Sequence, residues 1–378
     1  MVSRRDFLST VAVGAGALAA ASVLPAQAAA PAAKGVALKD PLKKQSDRTK
    51  GGKYRPPFRL GQGGAPIGNS SGLAMTDEEA RLTLENAWAS GMRFYDTSPW
   101  YGLGLSERRF GQLLHQKPRD EYVLATKVGR ILTAAPNPPK TAWAQPDSFA
   151  YKYDYSASAT RRSVEDSLQR LGVSSLDIVF IHDLSPDNGD LGEKWTEYFD
   201  EAAKGAMPEL SKMRDEGIIK GWGFGVNTLP PILRALEQGD PDVFLAACQY
   251  TLMQHEESLE KLFPACAKSG VSVVVGSPLN NGFLSGRDRF NYGGKIPDGF
   301  TEKRARMQQV AAAHKVDLRT AALQFCTVPE EVSSVIPGAR KAHQPAENVA
   351  SISAKIPADF WAELKAEKLI AENAPVPA

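Results

Sequence analysis

Four residues of the chain could organise proton transfer to a carbonyl oxygen. Asp96, Lys127 and His182 each stand at the end of a short apolar stretch, and Tyr101 follows Asp96 closely. A phenol with an ordinary pKa of about 10 is a weak acid at neutral pH, but an adjacent ammonium stabilises the phenolate. We therefore predict that Lys127 lowers the pKa of Tyr101, that Asp96 holds Lys127 in place, and that His182 orients a carbonyl by a hydrogen bond to its oxygen.

Strands alternating with helices must position these side chains. The predicted strands are 58–67, 93–97, 122–128, 177–182, 219–226, 243–249, 271–277 and 332–336. The predicted helices are 77–90, 106–114, 159–171, 202–216, 230–238, 259–269, 303–314 and 346–353. Near-continuous apolar strands suit parallel strands buried on both faces, and eight such units predict an α/β fold, a (β/α)₈ TIM barrel. We expect it to be a single domain that spans 57–378.

An open, doubly wound sheet is the alternative architecture. That fold needs a glycine-rich dinucleotide fingerprint after its first strand, and the chain lacks one there. The nearest match, at 14–19, falls inside the N-terminal signal described below. The barrel is therefore the better prediction.

Two long segments, 131–158 and 183–201, follow predicted strands at the face where barrels build their active sites. Asn227 and Gln249 follow two further strands at the same face. The first segment carries five aromatic residues, Trp143, Phe149, Tyr151, Tyr153 and Tyr155. Such rings could pack on the C–H faces of a sugar, or could simply pack the segment onto the barrel.

The N-terminus has the features of a twin-arginine export signal. Arg4 and Arg5 precede an apolar run too short to span a bilayer, and Ala26-Gln27-Ala28 is a small-x-small cleavage site. We predict a signal peptide at 1–28, a flexible tether and lead-in at 29–56, and a periplasmic protein without a stable membrane anchor. The export machinery would then be a partner.

Charge and cysteine content exclude other classes of function. The net charge of +2 gives no indication of a nucleic-acid partner. Cys248, Cys266 and Cys326 are an odd number at spacings that match no zinc or disulfide framework. We expect three buried free thiols and no metal site.

Three stretches resemble signatures of the aldo-keto reductase family. They are "GMRFYDTSPWYGLGLSE" at 91–107, "VLATKVG" at 123–129 and "SLQRLGVSSLDIVFIHD" at 167–183. The resemblance implies a catalytic tetrad of Asp96, Tyr101, Lys127 and His182. It also implies hydride transfer with a nicotinamide cofactor, because side chains cannot donate hydride.

Two later stretches, "GSPLNNGFLSG" at 276–286 and "VIPGARKAHQPAENV" at 335–349, resemble the family's cofactor-binding segments. The resemblance implies that NAD or NADP contacts Asn227, Gln249, Ser277, Pro278, Leu279, Gly282, Gly338, Arg340, Gln344, Glu347 and Asn348. The choice of cofactor stays open, because Gln344 stands where an arginine often holds the 2′-phosphate of NADP, whereas Arg340 and Lys341 supply positive charge nearby.

Within the family, "KVGR", "SVEDSLQRLG" and the insertion after the third strand resemble the D-threo-aldose (L-fucose) 1-dehydrogenase and pyridoxal dehydrogenase branch. The implied substrate is an aldehyde, a ketone or the C1 hydroxyl of an aldose, with Tyr101 as the general acid or base. Gly276 and Val226 replace a common aromatic and a common serine, which favours an alternative: a cofactor-binding redox sensor with little turnover. A hydrolase would need two carboxylates at the mouth, for which only Asp96 and Asp183 are available.

Overall fold

Eight parallel strands form the centre of the computed structural model, which describes residues 35–378. The barrel strands are β1 (Gln62–Gly63), β2 (Phe94–Asp96), β3 (Val123–Val128), β6 (Ile178–His182), β7 (Gly221–Val226), β8 (Val243–Ala247), β9 (Ser272–Gly276) and β10 (Val332–Ile336). Strands β4 (Arg130–Ala134) and β5 (Phe149–Tyr153) form a separate antiparallel hairpin. The predicted export signal lies outside the described residues.

Backbone contacts between the first and last strands close the barrel. The sheet order is β1-β2-β3-β6-β7-β8-β9-β10, and parallel bridges join Leu60 to Val335 and Gly63 to Gly338. This closure confirms the predicted (β/α)₈ barrel. At Gly223 in β7 an added Cβ would lie 1.9 Å from the carbonyl oxygen of Val243, so only glycine allows this close approach of β8.

Helices surround the barrel: α1 (Asp77–Ala89), α2 (Leu105–Leu114), α3 (Ala157–Leu171), α4 (Trp195–Lys204), α5 (Ala206–Asp215), α6 (Pro230–Gln238), α7 (Phe263–Ser269), α8 (Phe300–Ala313), α9 (Leu318–Thr327), α10 (Gln344–Ser353) and α11 (Ala358–Ala366). Local signals set several of their ends. Thr76 and Glu79 form a capping box at the start of α1, and Gly172 ends α3 in the left-handed conformation. None of the helices within 35–378 is long and apolar enough to cross a membrane.

The observed secondary structure differs from the predictions in a split helix, two additional helices and a hairpin. The single helix predicted for 202–216 is two helices, α4 and α5, that meet at Gly205. Helices α9 and α11 were not predicted, and α9 is buried over almost its whole length. The β4–β5 hairpin was also missed, within the first of the two predicted mouth segments.

Inward-facing side chains alternate along the strands and change from apolar to polar near the mouth. In β6, Ile178 and Phe180 belong to the apolar cluster inside the barrel, and His182 is two residues further on. In β3, Ala125 belongs to the same cluster, and Lys127 follows it by two. The period of two therefore carries the last inward side chain of each strand to the mouth.

The lead-in before β1 covers the opposite, N-terminal end of the barrel. Tyr54 is 1% exposed within the apolar cluster inside the barrel, and its backbone N–H donates to Asp242 just before β8. Val36 forms a parallel bridge with Pro377 near the C-terminus. The lead-in is thus anchored at these two points, whereas most residues of 36–53 between them are exposed.

Candidate active site

A cavity of about 900 Å³ opens at the mouth of the barrel. Its walls come from loops that follow the C-terminal ends of the strands, including both long segments predicted to lie there. We call the part formed by Asp96, Tyr101, Lys127 and His182 the catalytic end. All four predicted catalytic residues line the same cavity.

Lys127 and Asp96 form a buried ion pair at the base of the catalytic end. The Nζ of Lys127 donates to both carboxylate oxygens of Asp96 at 2.8 Å and to the carbonyl oxygen of Thr97 at 2.7 Å. Burial raises the pKa of Asp96 and lowers that of Lys127, and the contact between the two opposes both shifts. This geometry is the one expected if Asp96 holds Lys127 in place.

Tyr101 lies directly above this pair. Lys127 Nζ is 4.6 Å from the centre of the Tyr101 ring, and the ring of His182 lies edge-on at 5.6 Å. The Tyr101 hydroxyl makes no hydrogen bond to any residue within 35–378, so its proton is available to a molecule in the cavity.

The pKa of Tyr101 differs from the sequence-based expectation. Burial and then the negative charges of Asp96 and Asp183 raise it well above its ordinary value. The three protons of Lys127 are directed to Asp96 and Thr97, so its ammonium lies beneath the ring and makes no hydrogen bond to the Tyr101 hydroxyl. Tyr101 is therefore a neutral phenol in this state, and the net shift of its pKa is opposite to the expected lowering.

His182 is held as a neutral imidazole. Its Nδ1 lies 3.1 Å from the hydroxyl oxygen of Ser98, and Tyr155 donates to its backbone carbonyl at 3.2 Å. Burial, with the nearby charges of Lys127 and Arg130, holds the pKa of His182 well below its usual range. A neutral ring carries one N–H, which suits it to donate to a carbonyl oxygen while Ser98 fixes its orientation.

The β4–β5 hairpin brings aromatic residues to the catalytic end. Trp143 lies 5.6 Å from the ring of Tyr101 and lines the cavity, and Tyr151 packs edge-on against Trp100 at 4.7 Å. Tyr155 is buried, whereas Phe149 is 37% exposed. Part of the aromatic set thus packs the hairpin onto the barrel, and part faces the cavity.

Most of the predicted cofactor contacts line the remainder of the cavity. These are Asn227, Ser277, Pro278, Leu279, Gly282, Gly338, Arg340, Gln344 and Asn348. At Gly282 φ is +97° and an added Cβ would lie 2.6 Å from Arg287 Cδ, so the turn needs glycine. The side chain of Gln344 accepts hydrogen bonds from the backbone N–H groups of Arg340 and Lys341, which shapes the loop after β10.

Gln249 and Glu347 are not part of the cavity wall in this structure. Gln249 instead donates through Nε2 to the backbone carbonyl of Asn227 at 2.5 Å, so it positions the residue that lines the cavity. Glu347 is exposed on α10, and its carboxylate lies 3.9 Å from His343 Nε2 on the same helix face. The family resemblance assigned both residues to the cofactor site but could not fix where their side chains point.

Four arginines line the cavity away from the tetrad, and only one of them was predicted. We call the set Arg287, Arg289, Arg319 and Arg340 the arginine end. None of them forms an ion pair with a carboxylate in the part of the chain that the structure describes. Burial and the charges of Arg287 and Arg289 lower the pKa of Arg340 to about 10, which shows that positive charge here is uncompensated. A bound anion would relieve this repulsion.

Unused hydrogen-bond donors at the arginine end fit a nucleotide. Arg289 Nε and Asn348 Nδ2 are buried and have no hydrogen-bond partner among residues 35–378. Guanidinium groups recognise phosphate, and buried donors without partners cost free energy until a ligand satisfies them. The residues present thus fit a nicotinamide dinucleotide, whose phosphates the arginine end would hold.

Tyr292 is a further cavity residue that the sequence did not indicate. It lies in the irregular segment between β9 and α8, receives a hydrogen bond from Ser277 Oγ at 3.0 Å, and is 51% exposed. Its phenol raises the pKa of Tyr101, so it lies close to the catalytic end. No periodic pattern marks such a segment, which is why it was missed.

Comparison with known proteins places the chain in a family. The model of the aldo/keto reductase family matches residues 59–368. The chain belongs to the aldo/keto reductase family. It is 36% identical over 324 residues to a D-threo-aldose 1-dehydrogenase of a Pseudomonas species, covering 82% of this chain and 94% of the relative. A pyridoxal 4-dehydrogenase of Microbacterium luteolum is 34% identical, with the same coverage.

Solved structures agree with this aldo/keto reductase fold. The holo form of an aldo-keto reductase from Bacillus halodurans has a TM-score of 0.65 at 23% identity, covering 88% of this chain and 98% of that one. An aldo-keto reductase from Klebsiella pneumoniae, solved with NADPH, has a TM-score of 0.60 at 20% identity, covering 89% and 96%. This aldo/keto reductase is an oxidoreductase that depends on NAD or NADP.

Proposed function

We propose that this chain transfers hydride between NAD(P) and the C1 position of an aldose, or the carbonyl of a related aldehyde, with Tyr101 exchanging the proton. The observation that carries the proposal is the free hydroxyl of Tyr101 above the Lys127–Asp96 pair and beside His182. Support for an aldose comes from the D-threo-aldose 1-dehydrogenase that the chain resembles, and support for a related aldehyde comes from the pyridoxal 4-dehydrogenase. Aromatic rings in the cavity wall add to this support.

Three residues of the catalytic end have a direct part in reduction. The bound cofactor supplies the hydride. His182 donates its N–H to the carbonyl oxygen and holds it near the hydroxyl of Tyr101. Tyr101 then delivers a proton as negative charge develops on that oxygen. Lys127 places a positive charge beneath the Tyr101 ring, which stabilises the phenolate that remains.

The first test is a titration of the purified protein with NADPH and with NADH, followed by turnover on L-fucose and on a simple aldehyde. We expect Tyr101→Phe to bind nucleotide as the wild type does and to lose turnover by about 10²–10⁴-fold, the usual contribution of a positioned acid. Tyr198→Phe is a matched control, because Tyr198 packs against Tyr153 and Tyr155 and does not line the cavity. Binding without turnover in the wild type would favour a redox sensor.

We also propose that the protein is exported by the twin-arginine route and works in the periplasm. The support is the Arg4-Arg5 motif, the short apolar run and the small-x-small site that ends at Ala28. Because free NAD(P) is scarce outside the cytoplasm, the cofactor would have to bind before export and stay bound. Replacing both arginines by lysine should keep the protein in the cytoplasm, and mature protein from a periplasmic extract should contain nucleotide. A nucleotide-free periplasmic protein would contradict tight retention.

A further inference from the structure

A carboxylate stands beside His182 in the wall of the cavity. The Oδ1 of Asp183 lies 3.5 Å from His182 Nε2, and the Asp183 side chain is 20% exposed. Because His182 is neutral and the distance is long for a hydrogen bond, this contact is not an ion pair. Oδ1 therefore keeps its capacity to accept a hydrogen bond from a molecule in the cavity.

The backbone turns Asp183 into the cavity. His182 is the last inward-facing residue of β6, so regular alternation would direct the next side chain outward, toward the helices. Asp183 instead adopts φ +47°, in the left-handed region that aspartate and asparagine tolerate better than most residues. Its backbone N–H donates to the carbonyl oxygen of Gly225 at 3.0 Å, which fixes this turn.

Arg130 fixes the orientation of the carboxylate. Its Nη1 donates to Asp183 Oδ2 at 2.8 Å, and its guanidinium carbon lies 4.5 Å from the ring centre of Trp100 and 4.9 Å from that of Tyr153. Arg130 is 5% exposed and cannot reorient freely. One carboxylate oxygen is thus committed to Arg130, and the other is presented to the cavity.

The chemistry around Asp183 suits a neutral polyol. A carboxylate only accepts hydrogen bonds, and bonds from hydroxyl groups to it are stronger than those between neutral groups. Trp100 and Trp143 line the same part of the cavity and offer faces for C–H groups. Asp187 also lines the cavity, so a substrate with its own negative charge would meet two carboxylates.

We propose that Asp183 is a specificity-determining residue that selects substrates carrying a hydroxyl beside the reacting carbon and no negative charge. The hydroxyl donates to Asp183 Oδ1 while the reacting oxygen accepts from His182, whose Nε2 lies 3.5 Å away from that same Oδ1. This inference rests on the proposed oxidoreductase function. It adds the residue that distinguishes a hydroxylated aldehyde from one of equal carbon number without hydroxyl groups.

Two pairs of aldehydes test the proposal. Glyceraldehyde and propanal have the same carbon count, and only the first carries hydroxyls; succinic semialdehyde and butanal differ by one carboxylate. In Asp183→Asn, we expect the kcat/KM ratio of glyceraldehyde to propanal to fall at least tenfold and the ratio of succinic semialdehyde to butanal to rise several-fold. Asparagine keeps an oxygen for Arg130 and tolerates the left-handed backbone, and a thermal melt checks folding.

Asp190→Asn is the matched control. Asp190 lies in the same segment, accepts hydrogen bonds from Tyr151 and Tyr153, and is not part of the cavity wall. Both ratios should stay at wild-type values in this variant. Equal losses for glyceraldehyde and propanal in Asp183→Asn, or no change in either ratio, would overturn the proposal while leaving the proposed function intact. Wild-type protein that reduces none of the four aldehydes and does not oxidise L-fucose would overturn both.

Inhibition by reaction products gives a second measurement, which does not depend on comparing the turnover of different aldehydes. Glycerol is the hydroxylated product and propan-1-ol its counterpart. We expect Asp183→Asn to weaken inhibition by glycerol relative to propan-1-ol at least fivefold. An unchanged preference for glycerol would count against a contact between Asp183 and the substrate hydroxyl.

Discussion

Lys127 Nζ donates to both carboxylate oxygens of Asp96 at 2.8 Å, and both side chains are almost fully buried. A buried charge without a partner is costly, so each of the two residues depends on the other to stay ionised. The pair also carries the positive charge that lies 4.6 Å from the centre of the Tyr101 ring. Stability and catalysis are therefore coupled at this point of the barrel.

Lys127→Met should lower the free energy of unfolding by about 3–5 kcal/mol, because it leaves Asp96 buried and unpaired. The double variant Asp96→Leu/Lys127→Met should recover part of this loss while remaining inactive. Urea unfolding curves provide the measurement. Lys50→Met serves as control, because its ion pair with Glu330 is exposed and should matter far less. A loss as small as that of the control would contradict burial of an unpaired carboxylate.

The pH profiles of the two reaction directions should differ. The raised pKa of Tyr101 keeps the phenol protonated up to high pH. The lowered pKa of His182 keeps the imidazole neutral even at a pH below the ordinary pKa of histidine. Reduction needs both of these forms, so its kcat/KM should show no break between about pH 6.5 and 10, the ordinary pKa values of the two groups. Oxidation needs the phenolate, and its rate should rise with pH. An alkaline limb in reduction near about pH 8 would contradict the raised pKa of Tyr101.

Arg287→Gln and Arg289→Gln should each weaken nucleotide binding by about tenfold, since a hydrogen bond to a charged group contributes roughly 1.5–3 kcal/mol. The wild-type affinity should also fall with added salt, and less steeply in the variants. Fluorescence titrations at low and high ionic strength measure both effects. Arg162→Gln is a suitable control, because Arg162 is exposed on α3 and pairs with Asp166 at 3.4 Å. Unaltered affinity in both variants would remove the arginine end from the nucleotide site.

Tyr54→Ala should destabilise the barrel by about 3–5 kcal/mol, the usual cost of deleting a large buried aromatic side chain. Tyr54 is 1% exposed and belongs to the core inside the barrel, far along the sequence from its partners Asp242 and Gly221. Thermal and urea unfolding give the result. Leu82→Ala provides the comparison, because Leu82 in α1 is 37% exposed. Equal losses of stability in the two variants would mean that the lead-in does not close the N-terminal end of the barrel.

The catalytic end could be predicted because it follows from strand alternation. Asp96, Lys127 and His182 are each the last inward-facing residue of a strand, and a period of two can be counted along a sequence. Tyr101 could be added because the family signature fixes its distance from Asp96. Eight strand-helix units were likewise visible from length and hydrophobic pattern.

The remaining features depend on backbone turns and long-range contacts that no local pattern encodes. Asp183 enters the cavity through a left-handed backbone conformation, and Arg130 reaches it from the β4–β5 hairpin. Gln249 and Glu347 were expected to contact the cofactor, but their side chains do not line the cavity in this structure. The direction of the Tyr101 pKa shift was misjudged because only the structure shows how deeply the phenol is buried and that Asp96 and Asp183 lie near it.

The closure of the barrel sets the order in which the nucleotide site can be assembled. Parallel bridges join Leu60 to Val335 and Gly63 to Gly338, and the Arg340 guanidinium donates to the carbonyl of Leu73 at 2.8 Å. In each of these contacts, one residue lies near the beginning of the barrel sequence and the other lies near its end. The chain must therefore be almost completely synthesised before any of them forms. The arginine end is consequently the last part of the cavity to exist, and a nucleotide can be captured only by a finished barrel.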